Sequence, residues 1–252
     1  MPDLVLTDIT DHCATVVLNR PDARNALSLE LIEALSDAIG SVQRGCEAGT
    51  VRAMVLGGAG KAFCAGMDLK AVMSDPPGMK RMLRGFAGVL RRIHELPVPT
   101  IARVQRAAIG GGCGLMVVTD FAVTHADALI GYPEVSLGLS PAVVAPWLIR
   151  RIGAGRARAM LLQGHTVSGK VALDLALATH LAERGAVDDE TQQLARTMVQ
   201  GSPIALTTTK LWLNDLDGSI DDATLTRGAD LSAEVLAGPE AQGRLRARFG
   251  SG

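Results

Sequence analysis

The chain of 252 residues is 48% hydrophobic and 20% charged, with a formal net charge of −1. Its length suits one large domain or a domain with a small extension, and its composition suits a well-packed globule. Near-neutral charge and a 3% aromatic content exclude a dedicated nucleic-acid binder, which needs a basic surface and stacking rings.

The opening stretch, MPDLVLTDIT, has neither a basic n-region nor a long apolar core and does not read as a signal peptide. No uninterrupted run of about 18 apolar residues predicts a membrane span. Cys13, Cys46, Cys64 and Cys113 form no C-x-x-C pair, so reduced thiols in a cytoplasmic protein are expected.

In chain order, residues 4–9 and 14–19 are β-rich runs joined by TDHC, a hairpin-like opening. NRPDARN is loop chemistry. Ser28 is the expected N-cap of a helix carrying Ile32, Leu35, Ile39 and Val42 at helical spacing. VRAMVLGG (51–58) reads as a buried strand ending in glycines, followed by the loop GAGKAFCAGMDL. A Pro/Gly break at 75–78 precedes the basic amphipathic segment KRMLRGFAGVLRRIHEL, read as a solvated helix face covering a pocket. VPTIARV (98–104) and DFAVTHA (120–126) are further strands, with Asp120 and His125 in sheet-end hydrogen bonding. From about 143 onward the pattern is mostly helical. Strands and helices alternate, so an α/β core with a helical C-terminal part is predicted.

The glycine-rich AAIGGGCGLMVVTD (107–120) fits no common nucleotide cradle. Gly110 and Gly112 match the start of G-x-G-x-x-G, but position 115 is Leu. GGAGKA (57–62) lacks the Ser/Thr and the first glycine of a P-loop. In GLSPA (138–142) the residue after Ser140 is Pro141, which has no N–H for an oxyanion, so a nucleophile elbow fails too. A helix starting near Gly111 either presents unpaired N–H donors to a developing oxyanion or packs closely against the preceding strand.

Taken together, NRPDARNAL (19–27), VRAMVLGGAGKAFCAGMDLK (51–70), VPTIARVQRAAIGGGCGLMVVTD (98–120), YPEVSLGLSPA (132–142) and RRIGAGRARAMLLQGHTVSGKVALDLAL (150–177) resemble the crotonase superfamily of enoyl-CoA hydratases and isomerases. SPIALTTTK (202–210) is a weaker match. The resemblance implies a spiral of ββα units with a helical C-terminal segment. Residues 1–195 would form the core, and 196–252 a segment for trimerisation and active-site cover. It implies an acyl-CoA substrate, with CoA entering as part of it, no metal or redox cofactor, and a homotrimer or dimer of trimers.

Residue by residue, the resemblance makes the amides of Met67 and Gly111 the oxyanion donors and Glu134 the acid/base. Arg24, Ala62, Ala65, Asp68, Leu69, Gly110 and Lys210 fall at substrate- or CoA-binding positions. The two-carboxylate hydratases have a glutamate where this chain has Gly114, which cannot help hold the attacking water. GLSPAVVAPWLIRRIG (138–153) is similar to hydratases of the methylglutaconyl-CoA type, so reversible hydration of a 2-enoyl-CoA leads. A Δ3,Δ2-enoyl-CoA isomerase with a single base, or a non-catalytic acyl-CoA-binding protein, are the alternatives.

Overall fold

A computed structural model describes residues 3–72, 75–216, 218 and 220–249, so the outermost residues of both expected segments lie outside it. The first strands, β1 (Val5–Thr10) and β2 (Cys13–Leu18), form the antiparallel hairpin expected from two β-rich runs joined by a short polar stretch. Ser28 caps α1 (Leu29–Glu47), its hydroxyl accepting from the Leu31 amide at 3.3 Å. Leu31, Ile32, Leu35, Ile39 and Val42 form its buried stripe.

β3 (Ala53–Gly58), β4 (Thr100–Arg103), β6 (Phe121–His125) and β9 (His180–Ala182) continue the sheet in parallel, in the order β1-β2-β3-β4-β6-β9. The pleat sends successive side chains to opposite faces. Met54 and Leu56 therefore join the main core with α1, whereas Val55, Ile101 and Val123 meet α8 (Val187–Gln200) through Val187 and Ala195. In the parallel part of this mixed sheet both faces are covered at β3, which is why β3 is buried along its whole length.

The Pro/Gly stretch at 75–78 is a helix start, not a break. Asp75 accepts from the Gly78 amide at 3.0 Å, and a proline opens α3 (Pro76–Glu95) in its first turn. A short α2 (Leu69–Val72) precedes it. The amphipathic reading of this segment holds: Met82, Leu83, Phe86, Leu90 and Ile93 are buried, while Lys80 and Arg84 pair with Asp230.

A second sheet of three short strands, β5 (Ala107–Ile109), β7 (Leu129–Gly131) and β8 (Thr166–Ser168), carries the site. Sequence periodicity missed it because three residues show no period. α4 (Gly111–Val117) follows β5 directly and is buried at every residue. α5 (Ala145–Ile152), α6 (Ala154–Gln163) and α7 (Gly169–Asp174) follow, so the mostly helical stretch after 143 also contains β8 and β9. α8 runs through the expected 195/196 division, and α9 begins at Pro203 (Pro203–Leu216). α10 (Asp222–Ala237) lies against α3, and α11 (Pro239–Phe249) ends the described chain.

Asn25 ties the loops above the sheet together. It is fully buried at a φ of +57°, a left-handed conformation that Asn tolerates better than most residues. Its Nδ2 donates to the carbonyls of Ala59, Ala62 and Phe63 at 2.9–3.1 Å, and its Oδ1 accepts from the Arg20 amide at 2.9 Å. Asn25→Ala leaves buried carbonyls without their donor, at a cost of about 3 kcal/mol. Urea unfolding should show that loss; a change below about 1 kcal/mol would mean the loops are held without it.

Candidate active site

The loop that follows Phe63 runs beside β5 and is paired to it through the backbone. Cys64 N–H donates to Ala107 at 3.1 Å, and Ile109 N–H donates to Cys64 at 3.0 Å. Two further bonds fix the loop from the other side: Leu27 N–H to Gly66 O at 2.8 Å and Asp68 N–H to Leu27 O at 2.9 Å. These contacts use the Gly66 carbonyl and the Asp68 amide, on either side of Met67. Among the described residues, neither the Met67 amide nor the Gly111 amide donates to any protein acceptor.

The Gly111 amide is exposed by the turn before it. Gly110 takes a φ of +54°, which reverses the chain so that α4 starts with its amides facing the Met67 loop. Gly112 allows the close approach: a Cβ there would sit 2.4 Å from the Cys64 carbonyl oxygen. The two unpaired amides thus converge at the start of a buried helix, where they can stabilise negative charge on one oxygen. Of the two uses open to the glycines, close packing is present at Gly112, and it sets the start of α4 beside the Met67 loop.

Glu134 opens a single 3-10 turn, Glu134–Leu137, just after β7. β7 is parallel to β5, and Gly110 N–H donates to Gly131 O at 2.8 Å, which sets the turn beside the start of α4. A Cβ on Gly110 would lie 2.7 Å from Glu134 Oε1. Glu134 Oε2 is buried with no protein partner. Burial without a neighbouring cation raises the carboxyl from 4.5 to about 7. Beside it, Tyr132 is fully buried, and burial pushes the Cys113 thiol up to about 12, so that thiol is inert packing.

A cavity of about 50 Å³ connects these groups. Met67, Gly111 and Glu134 line it together, with Leu83 and Phe86 from α3 and Leu236 from α10 on its apolar side. Leu69 also lines it. Ala62 is buried under the loop, and Ala65 donates its amide to the Arg24 carbonyl at 3.0 Å, so the Arg24 and Met67 loops are stitched together. Arg24 itself is exposed. Asp68 pairs with Arg20 at 3.1 Å.

Lys210 stands apart from this group. Its Nζ donates to the Val98 carbonyl and to Asp120 Oδ2, both at 2.8 Å, and the residue is 7% exposed. Asp120 also accepts from the Thr100 amide and hydroxyl. This cluster sits past the far end of α4, about 10 Å from Gly111 by helical rise. Asn25 and Val144 are the residues that sequence reading passed over. An Asn in a PDARN loop carries a left-handed turn signal. Val144 carries no signal of its own, only the gap at Gly114 that it fills.

The high Glu134 value has a consequence for stability. The folded carboxyl holds its proton between pH 4.5 and about 7 where the unfolded one has lost it. Its contribution to stability is therefore present below 4.5 and is lost as pH rises toward about 7. Glu134→Gln removes that loss. Unfolding free energies of the two proteins should diverge across this interval and run parallel above it; parallel curves throughout would refute the shift.

Among the described residues, no group of three or more His, Cys, Asp or Glu side chains is placed to hold a metal, and no helix is long and apolar enough to cross a membrane. Residues 8–242 match the enoyl-CoA hydratase/isomerase family. The chain is 31% identical to the short-chain-enoyl-CoA hydratase of Clostridium acetobutylicum, over 83% of this chain and 80% of that one. It is also 31% identical to the 1,2-epoxyphenylacetyl-CoA isomerase of Escherichia coli, over 97% and 94%. The crystal structure of an enoyl-CoA hydratase from Mycobacterium smegmatis superposes with a TM-score of 0.81 at 30% identity, covering 98% of this chain and 96% of that one. The sheet with its buried glycine helix, the two unpaired amides and these likenesses lead to one conclusion: the chain is a crotonase-fold enzyme and belongs to the enoyl-CoA hydratase/isomerase family.

Proposed function

We propose that the chain reversibly adds water to a 2-enoyl-CoA thioester, with Glu134 as the sole proton-transfer group. The observation that carries this reading is the buried, unpartnered Glu134 Oε2 on a residue that lines one cavity with Gly111, whose amide has no protein acceptor among the described residues. The thioester carbonyl oxygen accepts from the amides of Met67 and Gly111. Ionised Glu134 takes a proton from water as the water oxygen bonds to C3. The π electrons move through C2 to the carbonyl oxygen and form an enolate, whose charge the two N–H groups offset. Glu134 then returns a proton to C2. A carboxyl poised at about 7 supplies both forms near neutral pH, which one residue needs in order to act in turn as base and acid.

CoA arrives as part of the substrate, and its phosphates and adenine would meet Arg24 and the loop of Ala62, Ala65, Asp68 and Leu69. Gly110 would shape the turn beneath the thioester. Lys210, paired with Asp120 within its own chain, is read here as an anchor of the core.

A second reading is isomerisation of a 3-enoyl-CoA to the 2-enoyl isomer. Glu134 is the only titratable side chain lining the cavity among the described residues, and moving one proton from C2 to C4 needs only one. A third, acyl-CoA binding without turnover, is the outcome if neither reaction occurs.

We propose that the assembly is a homotrimer or a dimer of trimers. α9 leaves Ile204 81%, Trp212 59% and Leu216 62% exposed, an apolar surface suited to a second copy. Light scattering at micromolar concentration should give a trimer or hexamer mass; a monomer would overturn this.

Crotonyl-CoA, 3-methylglutaconyl-CoA and a 3-enoyl-CoA distinguish the reactions when products are followed by absorbance and mass spectrometry. A gain of one water from the 2-enoyl esters is expected. Glu134→Gln should cut turnover by about 10² or more while CoA-ester binding persists. Full activity in that variant would remove Glu134 from the chemistry.

A further inference from the structure

Gly114 lies one turn along α4 from Gly110, and its amide donates to the Gly110 carbonyl at 2.9 Å. The space beside it is filled. A Cβ built at Gly114 would stand 2.6 Å from Val144 Cγ1 and 3.5 Å from Phe86 Cζ. Val144 is 3% exposed and lines the same cavity as Met67, Gly111 and Glu134. A side chain at 114 and a valine at 144 therefore exclude each other. An aliphatic group occupies the direction in which a carboxylate from residue 114 would extend.

Val144 has no easy way to withdraw. Its amide donates to Pro141 O at 3.2 Å, and its carbonyl accepts from the Leu148 amide at 3.0 Å. The preceding amide, Val143 N–H, donates to Ser232 Oγ at 3.3 Å, and that hydroxyl donates to Ser140 O at 2.9 Å. α10 comes so close at Gly228 that a Cβ there would lie 2.8 Å from the Ala142 carbonyl oxygen. The segment 140–144 is thus clamped between α4 and α10, and a β-branched side chain adds stiffness at χ1.

What remains open is small. The cavity of about 50 Å³ holds roughly four water-sized spheres at about 10–15 Å³ each. Apart from Glu134, its lining is mainly apolar: Leu83, Phe86, Leu139, Val143, Val144 and Leu236 face it.

We propose that Val144 is the specificity-determining residue of this site. It fills the acyl pocket at the place Gly114 vacates and restricts the substrate to short acyl groups. This rests on the reading of the cavity as the acyl pocket. Close packing rejects each methylene beyond the limit by about tenfold or more.

The test is a chain-length series of 2-enoyl-CoAs from C4 to C10, measured as kcat/KM for the wild type, Val144→Ala and Val144→Ile. Saturated acyl-CoAs of the same lengths are titrated in parallel by calorimetry, and far-UV circular dichroism checks that each variant is folded. The wild type should fall at least tenfold between C4 and C8. Val144→Ala should raise the C8:C4 ratio about tenfold or more, and Val144→Ile should lower the C6:C4 ratio. A wild type that takes C8 as well as C4, or ratios unchanged in both variants, would overturn the assignment. If no ester is turned over, the hydratase reading fails, and the calorimetric ratios alone then decide for or against Val144. Turnover with an unchanged length profile would remove Val144 and leave the hydratase reading standing.

Discussion

Everything in this site depends on one backbone-to-backbone contact, the approach of the start of α4 to the loop at Cys64. A Cβ at residue 112 would stand 2.4 Å from the Cys64 carbonyl oxygen, so no side chain fits between them. The contact is paired by the hydrogen bonds from Cys64 to Ala107 and from Ile109 to Cys64. Those bonds use the Cys64 and Ile109 amides and leave the amides of Met67 and Gly111 without a protein acceptor among the described residues. Under the proposed reaction, these main-chain N–H groups would meet the thioester oxygen already held in place by the sheet and the helix.

α4 is treated differently at its two ends. Its N-terminus keeps an unpaired amide in a buried setting, a cost that a structural helix would avoid by capping. Its C-terminal end is heavily satisfied: Arg151 donates to the carbonyls of Thr119 and Asp120, the Thr119 hydroxyl donates to Met116 O, and Lys210 and Thr100 meet the Asp120 carboxylate. Burial lowers the Lys210 pKa, and Asp120 opposes that shift. The anchored end holds the helix so that the other can carry unsatisfied groups. Glu134 belongs to the same trade, since a carboxylate with one buried, unpartnered oxygen destabilises the fold and is therefore poised to exchange a proton.

The C-terminal helices complete the pocket instead of merely covering it. Ser232 on α10 reaches the 140–144 segment, Leu236 lines the cavity, and Asp230 holds α3 through Lys80 and Arg84. The pocket wall is thus shared by α3, α5's entry and α10, three elements far apart in the chain. Exposed ion pairs of this sort add little energy, so the apolar packing of Leu83, Phe86 and Leu236 sets the geometry.

Much of this was legible in the linear chain. The hairpin, the Ser28 cap, the buried β3 and the amphipathic α3 are local patterns, set by the alternation of side chains in strands and the 3.6-residue period of helices. The glycines at 110–112 and the glutamate at 134 could be picked out because backbone freedom and charge are properties of single residues. The strands β5, β7 and β8 were not legible, since three residues carry no period and are fixed by their neighbours. Position 75–78 read as a break because proline and glycine serve equally at a turn and at a helix start, and only the Asp75 cap decides between them. Lys210 could equally reach outward or inward until the fold set Asp120 beside it. The absence of a carboxylate at 114 was plain from the sequence, but that Val144 fills the gap was not. Composition and local period determine which residues form which elements; which atoms meet across 30 residues of chain is decided by packing, and that belongs to the tertiary structure alone.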